Sequence, residues 1–187
     1  YSGLPTPAGQ TPATTIGFLD TQVNTGGGNF YGVELSATVP FDAFFSGLEG
    51  FGATGGVGYT KSEVEDFNGD IAPISGYSEW VANGTLYYDL NGFSARGSVR
   101  YRSEFIGEFS GFGGSPTRRL ARAETIVDAQ IGYEFQKGSA LEGLSFFLQG
   151  QNLTDEPFVS VDTGASIQIR NYQSYGARYM AGFNYRF

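Results

Sequence analysis

The sequence has no cysteine and no histidine, and it contains a single methionine and a single tryptophan among 187 residues. Without cysteine there is no disulfide framework, no thiolate nucleophile and no cysteine-based zinc site. Without histidine there is no histidine-based catalytic triad, and the commonest metal ligand is missing. No carboxylate pair can be placed at catalytic separation either. We therefore expect neither an enzyme nor a bound cofactor.

Basic residues and long apolar runs are also scarce. The formal net charge is −8, which argues against a nucleic-acid partner. No stretch approaches the 18 apolar residues of a transmembrane helix. No basic segment followed by an apolar one opens the chain, so no signal peptide is expected.

What the sequence does contain is glycine, 29 residues, and aromatic residues, 16% of the chain. With few helix formers, this composition favours an all-β fold. Strict alternation supports it. From Phe93 to Phe105 the odd positions are apolar or small, whereas the even positions hold serine, arginine and glutamate. Asn91-Gly92, just before this run, is the typical dipeptide of a two-residue type I′ hairpin turn.

The same alternation recurs along the chain and predicts seven antiparallel strands after an initial loop at residues 1–18. The strands are expected near residues 19–40, 48–63, 78–90, 93–106, 121–136, 143–152 and 176–187. Short connections alternate with long ones at residues 63–77, 107–120 and 153–175.

Alternation alone does not distinguish a soluble sandwich from a membrane barrel, but three features favour the barrel. The strands are long enough to span a bilayer. The loops are short at one end and long at the other, and aromatic residues gather near the strand ends. Seven strands cannot close alone, and open edges in lipid would cost on the order of tens of kcal/mol. The sheet must therefore close with strands outside this chain, or with one more near its N-terminus.

Four segments in this order resemble the C-terminal barrel of TonB-dependent outer-membrane receptors. They are residues 30–35 (FYGVEL), 91–96 with 101–103 (NGFSAR and YRS), 151–158 (QNLTDEPF) and 179–187 (YMAGFNYRF). Each is weak alone, but their order and spacing together are specific.

The resemblance implies that the seven strands correspond to strands 16–22 of a 22-stranded transmembrane β-barrel in the outer membrane of a Gram-negative bacterium. The family's N-terminal plug domain and TonB-binding segment are absent, so the chain is expected to be a fragment of a longer receptor. The implied partners are the missing barrel strands and plug, the TonB energising complex, outer-membrane lipid and the barrel-assembly machinery. The last would read a terminal signal formed by Tyr179, Phe183, Tyr185 and Phe187.

Candidate functional residues fall into two groups. The residues expected to face the lumen and plug are Arg96, Arg100, Arg102, Glu104, Arg122, Glu124 and Asp128. The loop residues expected to contact the solute are Phe109, Phe112, Phe158, Arg170, Tyr172 and Tyr175. The solute class stays open among ferric siderophores, cobalamin and oligosaccharides. An acidic run at residues 63–70 suits either a solvated loop or a calcium site.

Two alternatives remain open. One is a complete eight-stranded barrel with an adhesin or structural role, which needs a further strand near residues 15–25. The other is a soluble β-sandwich that acts as a binding module, in which Tyr101 and Tyr133 would form part of the core.

Overall fold

The computed structural model describes residues 27–65, 69, 71–110, 116–163 and 165–186. Within them the chain forms twelve strands and one turn of 3-10 helix at Phe41–Ala43. The strands are β1 (Gly28–Pro40), β2 (Phe51–Glu65), β3 (Ile71–Ala72), β4 (Trp80–Leu90), β5 (Phe93–Arg102), β6 (Phe105–Ser110), β7 (Pro116–Ala121), β8 (Glu124–Glu134), β9 (Leu144–Gln151), β10 (Phe158–Asp162), β11 (Ala165–Gln173) and β12 (Arg178–Tyr185). This described part has no helix that is both long and apolar enough to cross a membrane.

Seven long strands form a main sheet in the order β1-β2-β4-β5-β8-β9-β12, with the short β3 paired to β2. Every pair is antiparallel, and neighbours in sequence are neighbours in space. The predicted hairpin turn is present: Asn91 and Gly92 have φ of 52° and 84°, and Leu90 pairs with Phe93. Positive φ at both positions is the requirement that makes Asn-Gly suitable here.

The long connections differ from the prediction, which treated them as loops. The strands β6, β7, β10 and β11 form a second sheet of their own, in the order β11-β10-β7-β6. We call it the loop sheet, because it is built from the β5–β8 and β9–β12 connections. The end of the main sheet from which these connections leave is the long-loop end, and the opposite end is the short-turn end.

Two strands that were predicted to be continuous, near 93–106 and 121–136, are each interrupted in the structure by two residues outside any strand. Residues 103–104 and 122–123 separate β5 from β6 and β7 from β8. The break changes the side to which Phe105 points: its ring lies 3.7 Å from the guanidinium carbon of Arg102, which is on the polar side of β5. The prediction that Phe105 continues the apolar row of β5 is therefore wrong, because alternation holds only while pairing is continuous.

Cross-strand register places most of the apolar residues of the seven long strands on one side of the main sheet. Val33 pairs with Tyr59, Ala53 with Leu86 and Ala95 with Ile131. We call this side the apolar face and the opposite side the polar face. A slip of one residue in any pair would move a whole strand's apolar set to the other side, so the patterning fixes the register.

Aromatic side chains form two belts across the apolar face. At the short-turn end, ring centroids of Phe51 and Tyr88 lie 4.4 Å apart, and those of Phe146 and Phe183 lie 6.4 Å apart. At the long-loop end, Tyr59 and Trp80 lie 4.7 Å apart. Between the belts the side chains are aliphatic or small: Leu35, Ala53, Val57, Ala82, Leu86, Val99, Ala129, Ile131 and Leu148.

The separation of the belts matches the thickness of a membrane. Phe51 and Tyr59 on β2 are eight positions apart, as are Phe93 and Tyr101 on β5. Eight residues of strand span about 27 Å, or roughly 20 Å along the membrane normal after a tilt near 40°. With the reach of the rings added, this approaches the ~25 Å apolar band of outer-membrane barrels.

The apolar face has no protein covering it within the described residues. In the described part of the chain the fully buried hydrophobic residues are Ala121 and Val161, and both belong to the loop sheet, not to the apolar face. Tyr101 and Tyr133 are 40% and 41% exposed, which contradicts the sandwich interpretation that placed them in a core. A soluble protein would leave this much contiguous apolar surface in water only at a large cost in free energy.

Both edges of the main sheet lack a partner strand among the described residues. Among the described residues β1 pairs only with β2, and β12 pairs only with β9. Residues 15–25, the segment needed for a complete eight-stranded barrel, lie outside the described residues, as does the part of the predicted first strand before residue 27.

The two faces lead to a matched pair of substitutions on β4. Leu86→Arg places a charge in the middle of the apolar face, where Leu86 is 64% exposed. For the folded barrel in vesicles we expect the free energy of unfolding to fall by about 2–4 kcal/mol, which is the cost of an arginine side chain at the bilayer midplane. Denaturant unfolding followed by tryptophan fluorescence measures it. Thr85→Arg, one position along on the polar face, is the control and should cost less than about 1 kcal/mol. Equal costs for the two variants would contradict the assignment of the faces.

Candidate functional site

Polar side chains on β5 and β8 face each other across the polar face. Arg96 donates a hydrogen bond of 2.5 Å to Gln130, and Arg100 forms an ion pair of 3.2 Å with Asp128. The Arg100 side chain is 62% exposed and that of Asp128 22%, so the pair lies on a wet surface. The alternation of β5 and β8 explains the arrangement, because both arginines and their partners occupy even positions.

Arg102 has a different role from its two neighbours on β5. Its Nε donates to Ser78 Oγ at 2.8 Å, and a terminal nitrogen donates to the Gly76 carbonyl at 2.8 Å. Ser78 in turn donates to the Ser103 carbonyl at 2.9 Å, and the Gly76 N–H donates to the Ile106 carbonyl at 2.7 Å. Arg102 therefore fixes the β3–β4 connection against the start of the loop sheet, and its guanidinium is engaged within the chain.

The Asn152 turn begins the β9–β12 connection. Asn152 has φ of 50°; its side-chain amide donates to the Glu156 carbonyl at 3.1 Å, and its Oδ1 accepts the Glu156 N–H at 2.9 Å. Asparagine is suited to this place because its short amide can satisfy backbone groups while the residue occupies the left-handed region. The segment QNLTDEPF thus has a physical function: it closes a turn at the end of β9.

Asp128 connects this turn to the polar face. Its Oδ2 is bound by Arg100, and its Oδ1 accepts the Asn152 N–H at 2.9 Å. The Leu153 N–H donates to the Val127 carbonyl at 2.8 Å, which fixes the same turn to β8 from the backbone. One carboxylate therefore positions both an arginine on β5 and the base of the β9–β12 connection.

A cavity of about 300 Å³ lies where the polar face meets this connection. We call it the mouth cavity. It is lined by Arg100, Glu124, Ile126, Asp128, Gln151, Asn152, Glu156, Phe158, Tyr175, Gly176 and Arg178. Its volume is at the lower end of the range of small-molecule sites. Charged, amide and aromatic side chains converge on it from β5, β8, β9, β12 and the connection.

The loop sheet has its own ion pair, between Asp162 on β10 and Arg170 on β11. The hydrogen bond from Arg170 lowers the pKa of Asp162, and the same hydrogen bond raises the pKa of Arg170. The pair joins two strands whose register shifts between Ser160 and Asp162. An ion pair at an irregular stretch of pairing helps to hold the two strands together.

The structure separates the predicted solute contacts. Phe158 and Tyr175 line the mouth cavity, whereas Tyr172 is exposed on β11 away from it, and Arg170 is engaged by Asp162. Phe112 and the side chain of Phe109 lie outside what the structure describes.

The predicted lumen residues also divide. Arg96, Arg100 and Asp128 share the polar face, and Glu124 reaches the mouth cavity. Glu104 and Arg122 lie in the two strand breaks, where the Arg122 N–H donates to the Val159 carbonyl at 2.9 Å.

Six lining residues were not among the predicted sites: Ile126, Gln151, Asn152, Glu156, Gly176 and Arg178. Parity along β9 and β12 places Gln151 and Arg178 on the polar face, and that signal was readable in the sequence. The sequence did not show that the β9–β12 connection turns back over the end of β9. This turn brings Glu156 to the same cavity.

Other sequence features fall elsewhere. Tyr179, Phe183 and Tyr185 occupy the apolar face of β12, and Phe187 lies outside the described residues. Of the acidic run at 63–70, Glu63 and Glu65 lie in β2, and Asp66 and Asp70 are outside the described part. The residues described contain no group of three aspartate, glutamate, cysteine or histidine side chains that could hold a metal ion.

A protein-family model described as "TonB dependent receptor-like, beta-barrel" matches residues 2–153, which is most of the sequence. The chain belongs to the TonB-dependent receptor family. The predicted fold class, an all-β, antiparallel segment of a transmembrane barrel, is thereby confirmed, although the main sheet is not closed. As a TonB-dependent receptor the chain falls in a family of outer-membrane transporters and receptors. The match ends before β10, β11 and β12. No curated protein and no solved structure matches the chain.

Substitution of Asp128 tests whether it organises the mouth of this TonB-dependent receptor. Asp128→Ala removes the partner of Arg100 and leaves the Asn152 N–H without its acceptor, so we expect a loss of about 1–3 kcal/mol in local stability. Arg100→Ala removes only the exposed ion pair and should cost less than about 1 kcal/mol. Amide hydrogen exchange of residues 152–157 in the intact receptor measures both. Equal protection in the two variants would show that Asp128 does not hold the turn.

The Asp162–Arg170 pair predicts a pH dependence of the loop sheet. Because the pKa of Asp162 is lowered on folding, the pair contributes stability above the ordinary value of 3.8 and loses it as the pH falls through the depressed value. Exchange protection of the β10 amides, corrected for intrinsic rates, should fall slightly on acidification below about pH 4. Asp162→Asn should abolish that change. A wild-type profile that is flat to pH 2, or one unaltered in the variant, would contradict the role of the pair.

Proposed function

We propose that this chain is part of the wall of an outer-membrane transporter that takes up a scarce solute with energy delivered through TonB. The observation that carries the proposal is the two-sided main sheet of a TonB-dependent receptor. One face is apolar between aromatic belts, and the other carries hydrated arginines, carboxylates and the mouth cavity. The proposed role is capture and passage of a solute, with no chemical step catalysed by this chain.

The missing parts of the transporter follow from the open edges. In lipid the unpaired backbone groups of β1 and β12 would each cost several kcal/mol, so further strands must pair with both. We assign those strands to the remainder of a larger barrel. A plug would occupy its lumen, against the row that contains Arg96, Arg100 and Asp128. The barrel-assembly machinery would insert the whole barrel, with the terminal aromatic strand as its signal.

The two ends of the sheet suggest the orientation. Outer-membrane barrels have short turns in the periplasm and long loops outside the cell. In that orientation the loop sheet and the mouth cavity face the medium, where a solute arrives. The aromatic belts then lie at the two interfaces, where amphipathic rings are favourable.

The experiment uses the intact receptor in a Gram-negative host, in strains with and without TonB. Uptake of a panel of labelled probes, namely ferric siderophores, cobalamin and linear oligosaccharides, is measured. We expect uptake of one class to require the receptor and TonB, and to stop when a protonophore removes the proton gradient. The receptor should fractionate with the outer membrane and need detergent for extraction. Receptor-dependent uptake that is indifferent to TonB and protonophore would contradict the proposal.

A further inference from the structure

Three half-buried polar side chains in the mouth cavity form no hydrogen bond or ion pair within the described chain. Asp128 and Asn152 are used, the first by Arg100 and the Asn152 N–H, the second by the backbone of Glu156. The half-buried side chains of Glu124, Gln151 and Glu156 line the same cavity without a hydrogen bond or ion pair to the described residues. Arg178 also lines it, but this side chain is exposed, and its guanidinium carbon lies 6.0 Å from the centroid of the Tyr175 ring. Buried or half-buried polar groups are normally satisfied, so a cluster of unused donors and acceptors in one cavity indicates a polar ligand.

The charge of these groups restricts the ligand. Arg100 and Asp128 neutralise each other, which leaves two carboxylates, Glu124 and Glu156, against one guanidinium, Arg178. An anionic ferric chelate would meet an excess of negative charge in a partly desolvated site, which is unfavourable. A simple cation would leave the donors of Arg178 and Gln151 without acceptors. A neutral ligand whose groups both donate and accept can satisfy the two carboxylates, the Gln151 amide and the N–H groups of Arg178.

An aromatic wall completes the arrangement. Tyr175 is 62% exposed and lines the cavity, and its hydroxyl is bound to Gln173 Oε1 at 2.5 Å, which fixes the ring. Phe158 lines the same cavity. An exposed aromatic ring held in one orientation offers a flat apolar surface to the C–H face of a ligand at little cost in conformational entropy. Hydroxyl groups for the carboxylates and a flat C–H face for the ring are together the chemistry of a pyranose.

We infer that the mouth cavity binds a neutral, polyhydroxylated solute of the oligosaccharide class. Hydroxyl groups of the sugar donate to Glu124 and Glu156 and accept from Gln151 and Arg178, and one ring stacks on Tyr175. This inference rests on the proposed function, since it names the solute that the transporter captures at its outer end.

The test is binding to the purified intact receptor. Titration calorimetry is carried out with a series of neutral linear oligosaccharides of glucose, xylose and N-acetylglucosamine. Parallel titrations use one anionic and one cationic ferric siderophore. We expect saturable binding of at least one neutral oligosaccharide. Tyr175→Ala and Glu156→Gln should each weaken it about tenfold or more, the effect of losing an anchor residue. Phe44→Ala and Asp42→Asn, in the turn at the short-turn end, are matched controls and should bind as the wild type does.

The outcomes distinguish the inference from the proposed function. TonB-dependent uptake of a ferric siderophore, with no binding of any oligosaccharide, overturns the inference and leaves the transporter role in place. Oligosaccharide binding that is unchanged in both cavity variants also overturns it, because the site then lies elsewhere. Oligosaccharide binding without TonB-dependent uptake supports the site and contradicts the transporter.

Discussion

This structure depends on one constraint. Every backbone N–H and C=O needs a hydrogen-bond partner, and a lipid bilayer offers none. A strand in an apolar solvent can satisfy its backbone only through neighbouring strands, so it must lie in a closed sheet. The seven long strands meet this requirement among themselves everywhere except along β1 and β12. Under the proposed function, those edges pair with further strands of a larger barrel. The same backbone requirement explains why the register is so regular across the main sheet, since each mismatch would leave backbone groups without partners.

The same constraint divides the side chains. Once backbone pairing is fixed, each strand presents alternate residues to two different environments. The apolar face then takes the residues that lipid accepts, with rings at the two levels where the medium becomes polar. The polar face is free to hold charge, because arginine and carboxylate side chains can stay hydrated there or pair across strands. Arg100 and Asp128 do so at 3.2 Å. The function proposed for the chain is a consequence of this division: one side faces the membrane and the other faces the solute's path.

At the long-loop end, which lies beyond the aromatic belt, the connections do not continue the main sheet. Pairing of the main sheet is interrupted at residues 103–104 and 122–123, and the connections form a sheet of their own. Its few buried side chains, Ala121, Ser160 and Val161, are the nearest approach to an ordinary core in the described residues. Arg102 lies against the Phe105 ring of the loop sheet, and Asp128 holds the turn that leads into β10, so the loop sheet is tied to the main sheet at two places. Binding residues on loops positioned by a rigid scaffold are common for the same reason.

The sequence by itself determined the strands of the main sheet, the assignment of their faces and the Asn91-Gly92 turn. These depend on period and on local backbone preference, both of which are written in neighbouring residues. It also determined that Arg96 and Arg100 share a face with Asp128. Only the tertiary structure decided that Arg102 donates hydrogen bonds to Gly76 and Ser78. It also decided that Phe105 leaves the apolar row and that the long connections pair into a sheet. It alone brought Glu156 and Arg178 into one cavity with Tyr175. Those outcomes depend on contacts between segments far apart in the chain, and alternation contains no information about which distant segments meet.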